Sequence, residues 1–263
     1  MQDFETIRIG RDERGVATLT LARAQKHNAM SPQMIAELSE AARLLGADEE
    51  LRVVVLAAEG ESFCAGGDLG WMRAQMEAGR ETRMAEAGAL ARMLMALDRL
   101  PRPLVGRIHG NAFGGGVGLA SVCDVAVGAE GIRMGFTETR LGLIPATIGP
   151  YVVARMGAAR ARRVFMSARR FGAEEAVALG LLARAVPADD LDAAVEAEVA
   201  PYLACAPGAV AEAKALLRAL SRPVEEADIA QTVAALADRW ESAEAAEGIA
   251  AFFERRAPGW AEG

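Results

Sequence analysis

Cysteine and histidine are scarce in this 263-residue chain, which holds three of the first and two of the second. The odd, scattered set Cys64, Cys123 and Cys205 fits reduced thiols rather than a disulfide framework. No paired Cys/His spacing of the zinc-binding kind occurs, so no metal site is expected. With only His27 and His109 present and no Gly-x-Ser-x-Gly elbow, the parts of a serine hydrolase are missing. His109 ends an apolar run, where a packed, hydrogen-bonded histidine is a simpler reading than a catalytic base. No apolar run is long enough to cross a membrane, and the acidic first ten residues do not read as a signal peptide. A cytoplasmic protein is therefore expected. The net charge of −7 argues against a nucleic-acid partner. The local arginines Arg155, Arg160, Arg162, Arg163, Arg169 and Arg170 read as a solvated helix face or a subunit contact.

What the chain does have is apolar material, 52% of its residues, enough for a substantial core. Two strands are expected over 4–10 and 14–21, joined by a polar turn at Arg11-Asp12-Glu13. Ser31-Pro32 reads as a helix entry, and Met34, Ile35, Leu38, Ala41, Ala42 and Leu45 follow at helical spacing. A buried-type strand over 51–58 runs into the glycine turn Ser62-Phe63-Cys64-Ala65-Gly66-Gly67-Asp68-Leu69. Residues 71–100 read as mostly helical up to Pro101 and Pro103. A strand over 104–109 then enters a second turn, Gly110-Asn111-Ala112-Phe113-Gly114-Gly115-Gly116-Val117-Gly118, followed by a buried helix over 117–122 and a strand over 125–127. Strand, glycine turn and helix thus recur, which predicts an α/β fold with a largely parallel sheet and ligands at the strands' carboxyl ends. From Tyr151 onward, segments rich in Ala, Arg and Glu suggest a run of helices.

Three successive glycines are poor material for an ordinary helix start, but they expose backbone N–H groups and permit close approach. Two such turns brought together form an oxyanion hole, which points to acyl chemistry. A dinucleotide fingerprint counted from Gly114 fails because its last glycine falls on Leu119, and no phosphate-binding Gly-Lys-Ser/Thr is present. Among the carboxylates, Glu138 sits between small and apolar neighbours in Gly135-Phe136-Thr137-Glu138-Thr139-Arg140-Leu141-Gly142-Leu143-Ile144-Pro145. Partly apolar surroundings raise a glutamate's proton affinity and suit it to proton transfer near neutral pH. A surface pairing with Arg140 or another arginine fits the local sequence equally well.

Taken together, Lys26-His27-Asn28-Ala29-Met30, Phe63-Cys64-Ala65-Gly66-Gly67-Asp68-Leu69, Phe113 to Gly118, Thr137-Glu138 through Pro145, and the tail Ala251-Phe252-Phe253-Glu254-Arg255-Arg256 resemble the crotonase superfamily of enoyl-CoA hydratases and isomerases. The resemblance covers nearly the whole chain. It implies a spiral of ββα repeats in two nearly perpendicular sheets, with a core over 1–200, a helical trimerisation region over 201–263, and a homo-trimer or dimer of trimers. It implies a lyase acting on an acyl-CoA thioester, with coenzyme A as part of the substrate and no separate cofactor. The oxyanion donors would be the N–H groups of Gly67 and Gly115, and Glu138 would be the catalytic acid and base. Family hydratases commonly carry a second glutamate, whose position falls here on Gly118.

Coenzyme A contacts are carried over to Lys26, Ala29, Ala65, Asp68 and Leu69. Arg255 or Arg256 would supply a basic contact, although the usual lysine position falls on Ala257. Trp71 and Met72 would face the acyl group. The glycine and Glu138 wording looks most like bacterial 3-methylglutaconyl-CoA hydratases, which suggests a branched, carboxylated acyl group held by Arg140 or Arg73. A Δ3–Δ2 enoyl-CoA isomerase and a non-catalytic acyl-CoA-binding scaffold are the alternatives. A hydrolase or dehalogenase, with Asp124 as the nearest carboxylate to a nucleophile, ranks below them.

Overall fold

A computed structural model describes residues 3–261. The chain opens with β1 (Ile7–Arg11), β2 (Val16–Leu21) and α1 (Pro32–Ala47). The Ser31 side chain accepts from the Met34 N–H at 3.3 Å and Pro32 takes the first helical position, so α1 begins where Ser-Pro directs. All six apolar positions expected along this helix are buried.

The next units repeat one pattern. They are β3 (Val53–Ala58), β4 (Ser62–Cys64), α2 (Leu69–Glu77) and α3 (Arg80–Asp98), then β5 (Leu104–Ile108), β6 (Asn111–Phe113) and α4 (Gly115–Ser121). In the third, β7 (Val125–Ala129) and β8 (Arg133–Gly135) lead into a single 3-10 turn, Glu138–Leu141. The remainder is α5 (Gly149–Met156), α6 (Ala158–Ala161), β9 (Arg170–Gly172), α7 (Ala173–Ala178), β10 (Arg184–Val186), α8 (Leu191–Leu203), α9 (Pro207–Leu220), α10 (Glu226–Trp240) and α11 (Ala243–Glu254).

The odd-numbered strands of these units build one sheet and the even-numbered ones another. The larger sheet runs β1-β2-β3-β5-β7-β10, parallel except for the β1–β2 pair. Strand β3 is buried at all six positions, which explains its unbroken apolar sequence. The smaller sheet runs β4-β6-β8-β9, its first three strands parallel. This parallel alignment sets the carboxyl ends of β4, β6 and β8 side by side, and the three motifs leave from those ends.

Residues 71–100 are mostly helical, as expected, but in two helices: Ala78 and Gly79 are extended, with ψ of 148° and 162°, and separate α2 from α3. One expectation needs correction, because the glycine triplet does start a helix. Gly114 turns the chain with φ of +47°, and α4 begins at Gly115. The entropic cost is met by contact, since a Cβ on Gly116 would lie 2.6 Å from the Cys64 carbonyl oxygen and 2.9 Å from Cys64 Cβ. Helix α4 therefore packs directly on the end of β4.

Helix α8 runs through residue 200, and α10 beyond it still packs into the main core. Val224, Ile229 and Val233 pack within that core, while Ala245 and Ile249 of α11 meet Leu143 in a smaller cluster. Among the described residues, no helix is long and apolar enough to cross a membrane.

Gly116→Ala should cost roughly 1–3 kcal/mol of stability, because backbone has to move to admit the methyl group. Urea unfolding would read this as a lower midpoint, and an unchanged midpoint would contradict the close α4–β4 contact.

Candidate active site

The ends of β4, β6 and β8 open into a cavity of about 420 Å³. Its walls include Ala65, Gly66, Gly67 and Leu69 from the first turn, Gly114 and Gly115 from the second, and Glu138 from the third. The turns touch one another. A Cβ on Gly114 would sit 3.0 Å from Glu138 Oε1 and 3.9 Å from Gly66 Cα.

The Gly67 and Gly115 N–H groups have no acceptor among the described residues, for two different reasons. Gly67 lies in a bridge with Met30, where Met30 N–H donates to Gly66 O (2.7 Å) and Asp68 N–H donates to Met30 O (2.8 Å). The flanking peptide groups are thereby used and the Gly67 N–H is passed over. Gly115 stands at the first position of α4, where a helix supplies no acceptor of its own.

Glu138 keeps part of its surface toward the cavity, yet its Oε2 is sealed and makes no hydrogen bond among the described residues. Burial pushes its carboxyl up to about 7, against a partial opposing pull from the backbone N–H groups of Glu138 and Thr137. Arg140 also lines the cavity but forms no ion pair with it among the described residues, so the surface-pairing alternative falls. Glu37 makes a useful contrast. It too is buried, but it accepts from Glu5 N–H (2.9 Å), Thr6 N–H (2.8 Å), Thr6 Oγ1 (2.5 Å) and Gln33 Nε2 (2.8 Å). Burial would raise its pKa, and these bonds outweigh that and hold it below the ordinary glutamate value.

The model of the family described as enoyl-CoA hydratase/isomerase matches residues 11–263. A Thermus thermophilus protein provisionally named enoyl-CoA hydratase is 34% identical over 92% of this chain and 96% of its own. The solved enoyl-CoA hydratase of Mycobacterium smegmatis is 37% identical with a TM-score of 0.80, covering 98% of this chain and 99% of its own. One from Mycobacterium avium is 30% identical with a TM-score of 0.87, covering 97% and 98%. The chain belongs to the enoyl-CoA hydratase/isomerase family and has the crotonase fold.

Against the family pattern, the departure at Gly118 is built into the packing. A Cβ there would lie 2.6 Å from Ile148 Cγ2 and 3.3 Å from Leu94 Cδ1. Gly118 is buried between α3 and α5 and does not line the cavity, so Ile148 occupies the room a side chain would need. Among the described residues, Glu138 is the sole carboxylate lining the cavity.

The residues carried over for coenzyme A divide into two groups. Ala65 and Leu69 line the cavity; Lys26, Ala29 and Asp68 do not. Lys26 is exposed on the turn Ala24–Lys26, and Ala29 is buried with its carbonyl accepting from Arg23 Nη1 at 2.9 Å. Both lie on the segment bonded to the first glycine turn, through Ala65 N–H to His27 O at 3.0 Å. The Asp68 side chain is committed to capping α2, accepting from Gly70 N–H (2.8 Å) and Trp71 N–H (3.1 Å) and pairing with Arg23 (2.8 Å).

Trp71 and Met72 line the cavity as expected. Arg140 does so as well, whereas Arg73 is stacked over the Phe253 ring at 4.6 Å and lies outside the lining. Arg256 is held by Glu247 and Glu254, both at 2.6 Å. His109 is the packed residue expected, with Nε2 2.8 Å from Gly60 O. Asp124 is tied to Lys214 and the Leu104 N–H, both at 2.7 Å, away from the cavity.

Sequence reasoning missed Gln75, Arg83 and Arg170, and it missed Leu236, Trp240 and Phe252, which the C-terminal helices contribute to the wall. For Gln75 a signal existed, since it lies four residues after Trp71 on the same helical face.

Folding raises the Glu138 pKa, so the native state holds this proton where the unfolded chain has lost it. Between pH 4.5 and about 7 its contribution to stability therefore falls as pH rises. Glu138→Gln should flatten that dependence and gain on the order of 2–3 kcal/mol at pH 8, read from urea unfolding at several pH values. A variant no more stable than the parent at pH 8 would contradict the buried-carboxyl account. Gly118→Glu should lower stability and leave turnover no higher, because its side chain meets Ile148 before it reaches the cavity. A stable, faster variant would show that the missing glutamate is a simple deletion.

Proposed function

We propose that this protein adds water across the α,β double bond of an enoyl-CoA thioester. The observation that carries this reading is a Glu138 carboxyl with a pKa near 7, its Oε2 without a hydrogen-bond partner among the described residues, sharing one cavity with two glycines whose N–H groups are unused. In this reading the thioester oxygen accepts hydrogen bonds from Gly67 and Gly115 and gains negative charge as water attacks Cβ. Each such donor contributes roughly 3–4 kcal/mol to the transition state. Ionised Glu138 takes a proton from the water as the O–Cβ bond forms and the π electrons move into the enolate. The protonated carboxyl then returns a proton to Cα. A pKa near 7 suits both halves of this exchange, because the group gains and loses its proton at similar cost.

Coenzyme A enters as part of the substrate, with Ala65 and Leu69 beside it and Lys26 within reach of its phosphates. The subunits would assemble as a trimer or a dimer of trimers, a reading supported by Leu216, Leu217 and Leu220, which stand exposed along α9.

The cavity's charges support an acyl group that is itself anionic. Three guanidinium groups, those of Arg83, Arg140 and Arg170, line it beside one carboxyl. Arg83 donates to the carbonyls of Gln75 (2.8 Å) and Met76 (3.0 Å), and Arg170 lies over the Phe113 ring at 5.1 Å. The Arg140 guanidinium has no hydrogen-bond or ionic partner among the described residues, and we assign it to the distal carboxylate of a branched substrate such as 3-methylglutaconyl-CoA. A Δ3–Δ2 isomerase is the second reading, favoured by the single carboxylate, since a 1,3-proton shift needs one base and no water.

Ultraviolet absorbance of the conjugated thioester should fall when the protein meets 3-methylglutaconyl-CoA, and Glu138→Gln should slow this by about 10²–10⁴-fold. Arg140→Gln should raise KM for this substrate and leave KM for crotonyl-CoA unchanged. No loss of absorbance with either substrate would sink the hydratase reading. Equal KM effects on both would remove Arg140 from acyl recognition.

A further inference from the structure

A hydratase must hold its water as well as deprotonate it, and a site with one carboxylate lacks the obvious second partner. The cavity contains a polar group that no step above uses. Gln75 on α2 is 6% exposed and lines the cavity. Its amide nitrogen donates to Glu86 Oε2 on α3 at 2.5 Å, and the same oxygen accepts from the Trp71 indole N–H. Its backbone carbonyl is also fixed, accepting from Arg83 Nε at 2.8 Å. The residue is thus pinned at both ends, although it sits near the break where α2 stops.

This arrangement determines which end of the amide is available. Facing Glu86 with the amide oxygen would oppose two acceptors, so the nitrogen must point to the carboxylate and the oxygen must point away. The Gln75 Oε1 accepts no hydrogen bond among the described residues, and it is not one of their sealed, unsatisfied atoms, so it keeps an open side. A water molecule or a substrate donor can meet it there. The position is also suitable. Trp71 Cε3 would lie 3.9 Å from a Cβ on Gly67, and Gln75 follows one helical turn beyond it. The α2 face that begins at the Gly67 turn therefore carries an oriented acceptor along the acyl side of the cavity.

We propose that Gln75 Oε1 orients the attacking water, with Glu86 as the positioning residue that locks its amide; this rests on the hydratase reading. One water hydrogen points to Gln75 and the other to Glu138, which leaves an oxygen lone pair directed at Cβ. Only the hydrogen on the Glu138 side is transferred, and Gln75 neither gains nor loses a proton. The group lost at Gly118 is replaced by a neutral acceptor on a different element.

The test separates water addition from enolate formation. Hydration of crotonyl-CoA and 3-methylglutaconyl-CoA is followed by absorbance. Exchange of the Cα protons of butyryl-CoA and 3-methylglutaryl-CoA with D2O, which requires Glu138 and the N–H pair but no attacking water, is followed by NMR. Gln75→Met keeps the volume and removes the acceptor. It should lower kcat for hydration by about 100-fold while KM and Cα exchange stay within about threefold. Glu86→Leu, which frees the amide without removing it, should shift hydration in the same direction by a smaller factor.

Unchanged hydration in Gln75→Met would overturn the proposal. Parallel loss of hydration and exchange would also overturn it, by showing a structural role. A wild-type protein that exchanges Cα protons but hydrates neither substrate would overturn the hydratase reading itself, and the role of Gln75 would fall with it.

Discussion

The site depends on one close backbone approach, that of the Cys64 carbonyl to Gly116. A methyl group at residue 116 would fall 2.6 Å from that oxygen, so only glycine lets the start of α4 close on the end of β4. This contact brings the two turns together, so that Gly67 and Gly115 line one cavity. The small sheet enforces the same arrangement, because β4, β6 and β8 pair in parallel and release their chains at one edge. Backbone geometry therefore carries the proposed electrophilic half of the chemistry, and side chains carry little of it.

The other half depends on where a glutamate is left unsatisfied. Glu37 and Glu138 are the same residue type, and both are removed from water. Four hydrogen bonds hold Glu37 in its ionised form, where it ties the start of the chain to α1. Glu138 receives no such set, and burial alone pushes its proton affinity toward neutrality. A neighbouring cation would undo this, and two of the three arginines lining the cavity are held by backbone or aromatic partners. The raised proton affinity here follows from withheld hydrogen bonds.

Much of this was legible in the sequence because it was local. Ser31-Pro32 specifies its helix start by chemistry that neighbouring residues supply, and the β3 and β5 runs end at their glycine turns within a few residues of expectation. Glu138 could be picked out from its apolar setting, although its isolation from Arg140 could not. What stayed hidden was set by tertiary contact. The helical start at Gly115 contradicts propensity because packing on Cys64 outweighs it. Gln75 and Glu86 meet across α2 and α3, a contact that no local pattern in this mostly helical stretch marks. Arg73 and Arg140 look equivalent as free cations, and only the placement of Phe253 on α11 separates them.

The central claim is that Glu138 holds a proton near neutrality in the resting protein. Carbon-13 NMR of the glutamate carboxyls, with the Glu138 signal assigned by its loss in Glu138→Gln, measures this directly. The account predicts one carboxyl titrating near pH 7, well above the ordinary glutamate value. A Glu138 signal that titrates near 4.5 would show a solvated or paired carboxylate and would contradict it.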